Sequence, residues 1–152
     1  MKLLLVGDGP VKAEVMRKVL QSGFEKKFIF TGMAEYEDIP LLINLADICV
    51  APFILQRNRL TGVSPIKVFE YMACGKAVVA SRLEGLEFIE DEGGGRLTEP
   101  ENVADLEHTL EELIQHPRER IEMGVKGLRI ARERFSWESR VTQIEEVLRK
   151  MA

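Results

Sequence analysis

Short apolar runs alternate with amphipathic stretches along the first hundred residues of this chain. Leu3-Leu4-Leu5-Val6, Phe28-Ile29-Phe30, Ile48-Cys49-Val50 and Val78-Val79-Ala80 are too brief for helices and read as buried strands. Between them the pattern predicts a helix from the Gly7-Asp8-Gly9-Pro10 turn to about Gln21, a second around Ile39–Leu45, and a third opened by Ser64-Pro65 and closed by Gly75. Proline is favoured in a first helical turn because its missing N–H is an orphan there anyway. Gly75 stands where a left-handed helix stop belongs. A long loop covers Ala51–Val63, and Arg96-Leu97 is a last short strand after Gly93-Gly94-Gly95.

The remainder is helical. Val103, Leu106, Leu110, Leu113 and Ile114 mark one face, with Asn102 as N-cap, and Pro117 starts a helix that runs to about Arg134. Ser136 caps the last helix, 136–151, whose Trp137, Val141, Ile144, Leu148 and Met151 recur at spacings of four and three. Such a stripe is more often core than partner surface.

Strand alternating with helix implies an α/β fold: a Rossmann-like, doubly wound parallel sheet with helices on both faces. With 152 residues the chain reads as a single domain, 1–152, of ordinary globular balance (45% hydrophobic, 30% charged). A net charge of −4 argues against a nucleic-acid partner, which needs a basic face. No run is long enough for a transmembrane segment or a signal sequence, so a cytoplasmic protein is expected, with peripheral membrane contact left open. Cys49 and Cys74 read as buried free thiols. His108 and His116 sit on a polar helix without ligand partners at metal spacing, so no metal site is expected.

In an open parallel sheet, ligands lie beyond the carboxyl ends of the strands. The ends at Val6, Phe30 and Val50 then line one crevice, beside the N-terminus of the Ser64-Pro65 helix, whose free N–H groups suit phosphate oxygens. Glu70 lies inside that helix among apolar neighbours; it pairs with a nearby Lys or Arg, or it faces a ligand. Gly7-Asp8-Gly9-Pro10 is a poor dinucleotide loop, because Lys12 stands in place of the third glycine and Asp8 would oppose a phosphate. It reads as a tight turn. Lys67, Arg57 and Arg59 are the cations near the inferred site, and the cluster Glu87, Glu90, Asp91 and Glu92 reads as a solvated rim.

The stretch Ser64-Pro65-Ile66-Lys67-Val68-Phe69-Glu70-Tyr71-Met72-Ala73-Cys74-Gly75-Lys76-Ala77-Val78-Val79-Ala80 resembles the second-domain signature of GT-B glycosyltransferases, in particular the large retaining family numbered four, glycosyl transferases group 1. Val6-Gly7-Asp8-Gly9-Pro10, Phe30-Thr31-Gly32, Leu45-Ala46-Asp47 and Phe135-Ser136-Trp137 follow in that family's order. The first of the family's two motif glutamates is replaced by Gly62; a branch reading Ser-Pro-x-Lys-x-Phe-Glu-Tyr-Met-Ala also lacks it.

The resemblance implies the donor-binding half of a glycosyltransferase, binding a nucleotide-diphosphate sugar for retaining transfer without a metal or other cofactor. Backbone amides near Ile66 and Lys67 would face the diphosphate, and Glu70 would accept hydrogen bonds from ribose hydroxyls. Val63 and Ser64 would take over sugar contacts by their backbone, Pro65 would start the helix, and Gly32 and Met33 would meet the base. Gly7 would turn the chain at the crevice edge. Family members carry a further strand and helix and an N-terminal acceptor domain, so a missing N-terminal domain or partner chain is implied, and a homodimer is an option. Two other readings stand beside this one: a non-catalytic nucleotide-binding or regulatory subunit, and a nucleotide-sugar 2-epimerase-like protein.

Overall fold

The computed structural model describes residues 1–55 and 65–151. Val63, Ser64, Gly62, Arg57 and Arg59 therefore lie outside the described residues. The chain forms two compact units, Met1–Ala46 and the part from Asp47 onward.

In the first unit, β1 (Leu3–Val6) and β2 (Phe28–Gly32) pair in parallel, connected by α1 (Lys12–Ser22), and α2 (Ile39–Asn44) follows. Leu3 faces Phe28 and Leu5 faces Phe30 before the register shifts between Leu5 and Val6. The shift leaves Gly7 free to donate its N–H to the Gly32 carbonyl at 2.8 Å. The sequence pattern predicts β1 as a buried strand; instead Leu3 is 40% and Val6 42% exposed. An apolar run records a preference for burial, and among the described residues this two-stranded sheet offers only Val19 and Ile43 as buried partners.

The second unit carries a three-stranded parallel sheet in the order β3 (Ile48–Ala51), β4 (Ala77–Ser81), β5 (Gly95–Thr98). Its helices are α3 (Ile66–Ala73), α4 (Phe88–Asp91), α5 (Val103–Gln115), α6 (Pro117–Arg134) and α7 (Trp137–Met151). Within each unit the strands run parallel and are flanked by helices, the α/β architecture that the alternation predicts. All five residues of β4 are buried. Successive side chains of a strand point to opposite faces. Val78 and Ala80 accordingly join Val68, Met72, Leu86, Ile89 and Ile130, while Ala77 and Val79 join Leu113 and Met123.

Both anticipated caps form: Asn102 Oδ1 accepts from the Asp105 amide at 3.1 Å, and Ser136 Oγ from the Ser139 amide at 3.2 Å. The acidic cluster is more than a solvated rim. It forms the single turn of α4, with Ile89 buried, and Glu90 pairs with Arg82 at 2.8 Å while Glu92 pairs with Arg134.

Two local devices position α3. At its C-terminal end, Gly75 adopts φ +67°, and α6 passes so close that a Cβ on Gly124 would lie 2.1 Å from the Gly75 carbonyl oxygen. At the sheet's carboxyl end, Ser81 Oγ accepts from the Phe53 amide at 2.9 Å and donates to the Phe53 carbonyl at 3.2 Å. This ties the segment leaving β3 to the end of β4.

Each device has a measurable cost when removed. Gly124→Ala must push two backbones apart; overpacking of this kind costs about 1–3 kcal/mol. At about 2–4 °C per kcal/mol for a chain of this size, calorimetry should show a clearly lowered Tm. Ser81→Ala strands the Phe53 N–H, a loss of about 1–3 kcal/mol, expected as a lower urea midpoint at unchanged m-value.

Candidate functional site

A parallel β3–α3–β4 crossover returns the N-terminus of α3 to the end of the sheet where β3 finishes. Pro65, Ile66 and Lys67 therefore stand at the carboxyl end of the second unit's strands. Pro65 is buried and occupies the N-cap, with φ −84° and ψ 47°, one position earlier than the first-turn placement read from the sequence. Its carbonyl accepts from the amides of Val68 at 2.8 Å and Phe69 at 3.2 Å. No side chain among the described residues caps this helix. The amides of Ile66 and Lys67 precede the first intrahelical bonds and point out of the terminus, at the positive end of the helix dipole.

Helical periodicity sorts the remaining residues. Val68 and Met72, four apart, face the core and are fully buried. Ile66 and Lys67 are exposed, and Glu70 sits half-buried one turn beyond Ile66 on the outer face. No hydrogen bond or ion pair joins the Glu70 carboxylate to another described residue. The alternative reading of Glu70 as a partner of a nearby Lys or Arg thus finds no such pair among the described residues.

Lys67 is placed by an aromatic ring: its Nζ stands 5.6 Å from the centroid of Phe53, the residue that Ser81 holds. Two positions further along the helix, Phe69 stacks on Phe135 at 4.3 Å, and Phe88 closes the group at 5.0 Å from Phe135. Arg134 lies over the rings of both Phe88 and Phe135. Neither Phe53 and Ser81 nor the three phenylalanines figured in the sequence reading of the site. The available signal was Ser81 itself, a polar residue ending a fully apolar strand.

Gly7, Gly32 and Met33 belong to the first unit. Gly7 and Gly32 are joined by their backbone bond, and Met33 is exposed just past the end of β2. Asp8 pairs with Lys12 at 2.7 Å and accepts from the Gly9 amide, contacts that hold its carboxyl below the ordinary carboxylate range. The loop is thereby occupied by its own side chains.

Other chemistries find little support. Cys49 is buried, and burial pushes its thiol up to about 12, so no thiolate nucleophile is present there. Burial also raises the Cys74 thiol and the Tyr71 phenol. Among the described residues no group of three His, Cys, Asp or Glu side chains is arranged to hold a metal ion. No described helix is long and apolar enough to cross a membrane.

Comparisons with known proteins agree with this architecture. HepE of Anabaena, solved in complex with UDP, superposes with a TM-score of 0.81 at 25% identity, over 99% of this chain and 41% of that one. The C-terminal domain of a glycosyl transferase group 1 family protein from Francisella tularensis matches at a TM-score of 0.70 and 26% identity, over 83% of this chain and 63% of that one. In sequence, the GDP-mannose-dependent alpha-(1-6)-phosphatidylinositol monomannoside mannosyltransferase of Mycolicibacterium smegmatis is 28% identical over 151 residues, 96% of this chain and 39% of that enzyme. The chain spans about two-fifths of the length of such relatives. The sequence model of the family described as glycosyl transferases group 1 matches residues 1–116. With the expected signature helix, parallel α/β architecture and GT-B neighbours all in place, the chain belongs to the glycosyl transferases group 1 family.

Proposed function

We propose that the N-terminal turn of α3 binds the diphosphate and ribose of a nucleotide-sugar donor, in a retaining glycosyl transfer whose acceptor is held outside this chain. The observation that carries this reading is a helix terminus and a carboxylate one turn away on the same face, neither of them capped or paired by a side chain among the described residues. The two features suit opposite ends of one ligand. Free amides at Ile66 and Lys67 and the Lys67 ammonium match phosphate oxygens, while a carboxylate accepts strong hydrogen bonds from paired hydroxyls. HepE was solved with UDP and with UDP-glucose, and the mycobacterial relative is named for GDP-mannose, which supports a nucleotide sugar as the ligand class.

The chemistry would be electrostatic. As the glycosidic bond to the donor breaks, negative charge grows on the leaving diphosphate. Amides and a dipole already aimed at that position stabilise it without reorganising. Neither a metal nor a nucleophilic side chain of this chain enters the proposal.

Calorimetric titration of the chain with UDP, GDP and ADP tests it. One nucleotide should bind saturably, and Glu70→Ala should weaken it by about tenfold to a hundredfold, the worth of a charge-assisted hydrogen bond. Glu70→Gln, which keeps the shape and loses the charge, should fall between. Absence of binding by the unmutated chain at millimolar nucleotide would sink the reading. Binding without transfer, even when a complete acceptor-binding domain is supplied, would favour a non-catalytic nucleotide-binding subunit.

A further inference from the structure

Phe53 stands where the chain leaves the sheet, two residues beyond β3, and both of its backbone polar groups are fixed. Ser81 Oγ accepts from its N–H at 2.9 Å and donates to its carbonyl at 3.2 Å. The side chain is half-buried and packs against the buried cluster that contains Val68 and Met72. The core thus holds the ring, and Lys67 Nζ stands 5.6 Å from its centroid.

A lysine at this point of a helix has two other fates. In water its long side chain samples many rotamers, and ordering it only when a ligand arrives would cost affinity. It could also turn along its own helix to Glu70, because opposite charges three residues apart on a helix are neighbours and pair. Among the described residues no ion pair joins the two; the ammonium is at the ring instead. Helical side chains lean toward the N-terminus of their helix. Phe53 leaves the carboxyl end of β3, where the N-terminus of α3 also stands, so the ring draws the ammonium toward the open amides of Ile66 and Lys67. The kind of contact matters. A ring face attracts a cation without neutralising it, and one such contact does not use up the three N–H donors of an ammonium. A carboxylate partner would quench the cation and be quenched by it.

We propose that Phe53 is a positioning residue for the donor diphosphate. It holds the Lys67 ammonium beside the open end of α3 and off Glu70, so that cation and carboxylate stay available to opposite ends of one nucleotide. This role rests on α3 being the nucleotide site proposed above.

A double-mutant cycle read by calorimetry tests it, with whichever of UDP, GDP and ADP the unmutated chain binds. Phe53→Leu keeps an apolar side chain on the core and removes the ring face. It should weaken the nucleotide about threefold, the worth of an exposed cation–π contact. Phe53→Met takes its place where Phe53→Leu does not fold. Phe53→Tyr, which keeps the ring, should retain the original affinity. In a Lys67→Met background, Phe53→Leu should change nothing further, because the ring acts through the ammonium. Equal losses in both backgrounds would make Phe53 a packing residue and overturn the proposal. Full affinity in Phe53→Leu, or a loss in Phe53→Tyr as large as that in Phe53→Leu, overturns it too. If no nucleotide binds the unmutated chain, or Glu70→Ala leaves binding intact, the site reading itself has failed and the role of Phe53 falls with it. Binding that needs Glu70 but ignores Phe53 overturns the positioning role alone.

Discussion

The aim of helix α3 is decided at its far end, where it meets α6 backbone to backbone. Gly124 has no room for a Cβ beside the Gly75 carbonyl, and a Cβ on Gly94 would come within 3.2 Å of the Gly127 Cα and 3.3 Å of Met72. Contacts between main chains cannot be relieved by a change of rotamer, so the spacing of α3, α6 and the entry to β5 is set with little slack. Gly95 repeats the theme on the sheet: its missing Cβ would lie 2.5 Å from Ile89. With these approaches in place, Val68, Met72, Val78 and Ile130 close a dry core, and the outer face of α3 takes a defined direction. Glu70 is on that face. Its placement is a consequence of glycines far from it in sequence.

The opposite end of α3 is treated differently from its neighbours. Asn102 closes the first turn of α5 and Ser136 that of α7, each by accepting a backbone amide. In α3 the N-cap is Pro65, whose side chain accepts nothing. Orphan amides at a helix start are ordinarily satisfied by a cap, by water or by a ligand. The terminus is nevertheless well anchored: Pro65 is buried, its carbonyl takes two amides, and Phe53 positions Lys67 from a segment tied to Ser81. Rigid support around open donors is the arrangement that makes electrostatic preorganisation effective, because the donors need not reorganise when charge appears.

Much of the second unit was legible from the sequence, and the reasons are local. Val78-Val79-Ala80 between Gly75 and the following polar residues has few conformations open to it other than a buried strand. Asn102 and Ser136 were identifiable as caps because short polar side chains ahead of amphipathic runs bond backbone amides more readily than they continue a helix. What was not legible depends on partners distant in sequence. An apolar run does not say what will cover it, so the exposure of Leu3 and Val6 was hidden. Glu90 looked like a solvated acid because its partner Arg82 and the burial of Ile89 next to it are tertiary facts. The tie between Phe53 and Ser81 joins residues 28 apart. Glu70 was visible as an anomaly, an acid in an apolar helix; its half-buried place away from the core side of α3 needed the structure.

The same aromatic group that backs the site helix also forms the root of α7. Phe69, adjacent to Glu70, stacks on Phe135 at the end of α6, and Arg140 in the first turn of α7 lies 4.9 Å from the centroid of the Phe135 ring. The stacked rings are a rigid joint: aromatic contacts at 4.3–5.0 Å add to the area they bury and hold one geometry. They therefore hold α3 and the start of α7 to a common frame, with Arg134 and Glu92 closing the edge. Beyond Arg140 that frame ends, since every later residue of α7 is exposed. The second unit thus separates two kinds of surface. One is positioned by glycine contacts and stacked rings and presents backbone donors and a carboxylate; the other is the exposed apolar edge of α7.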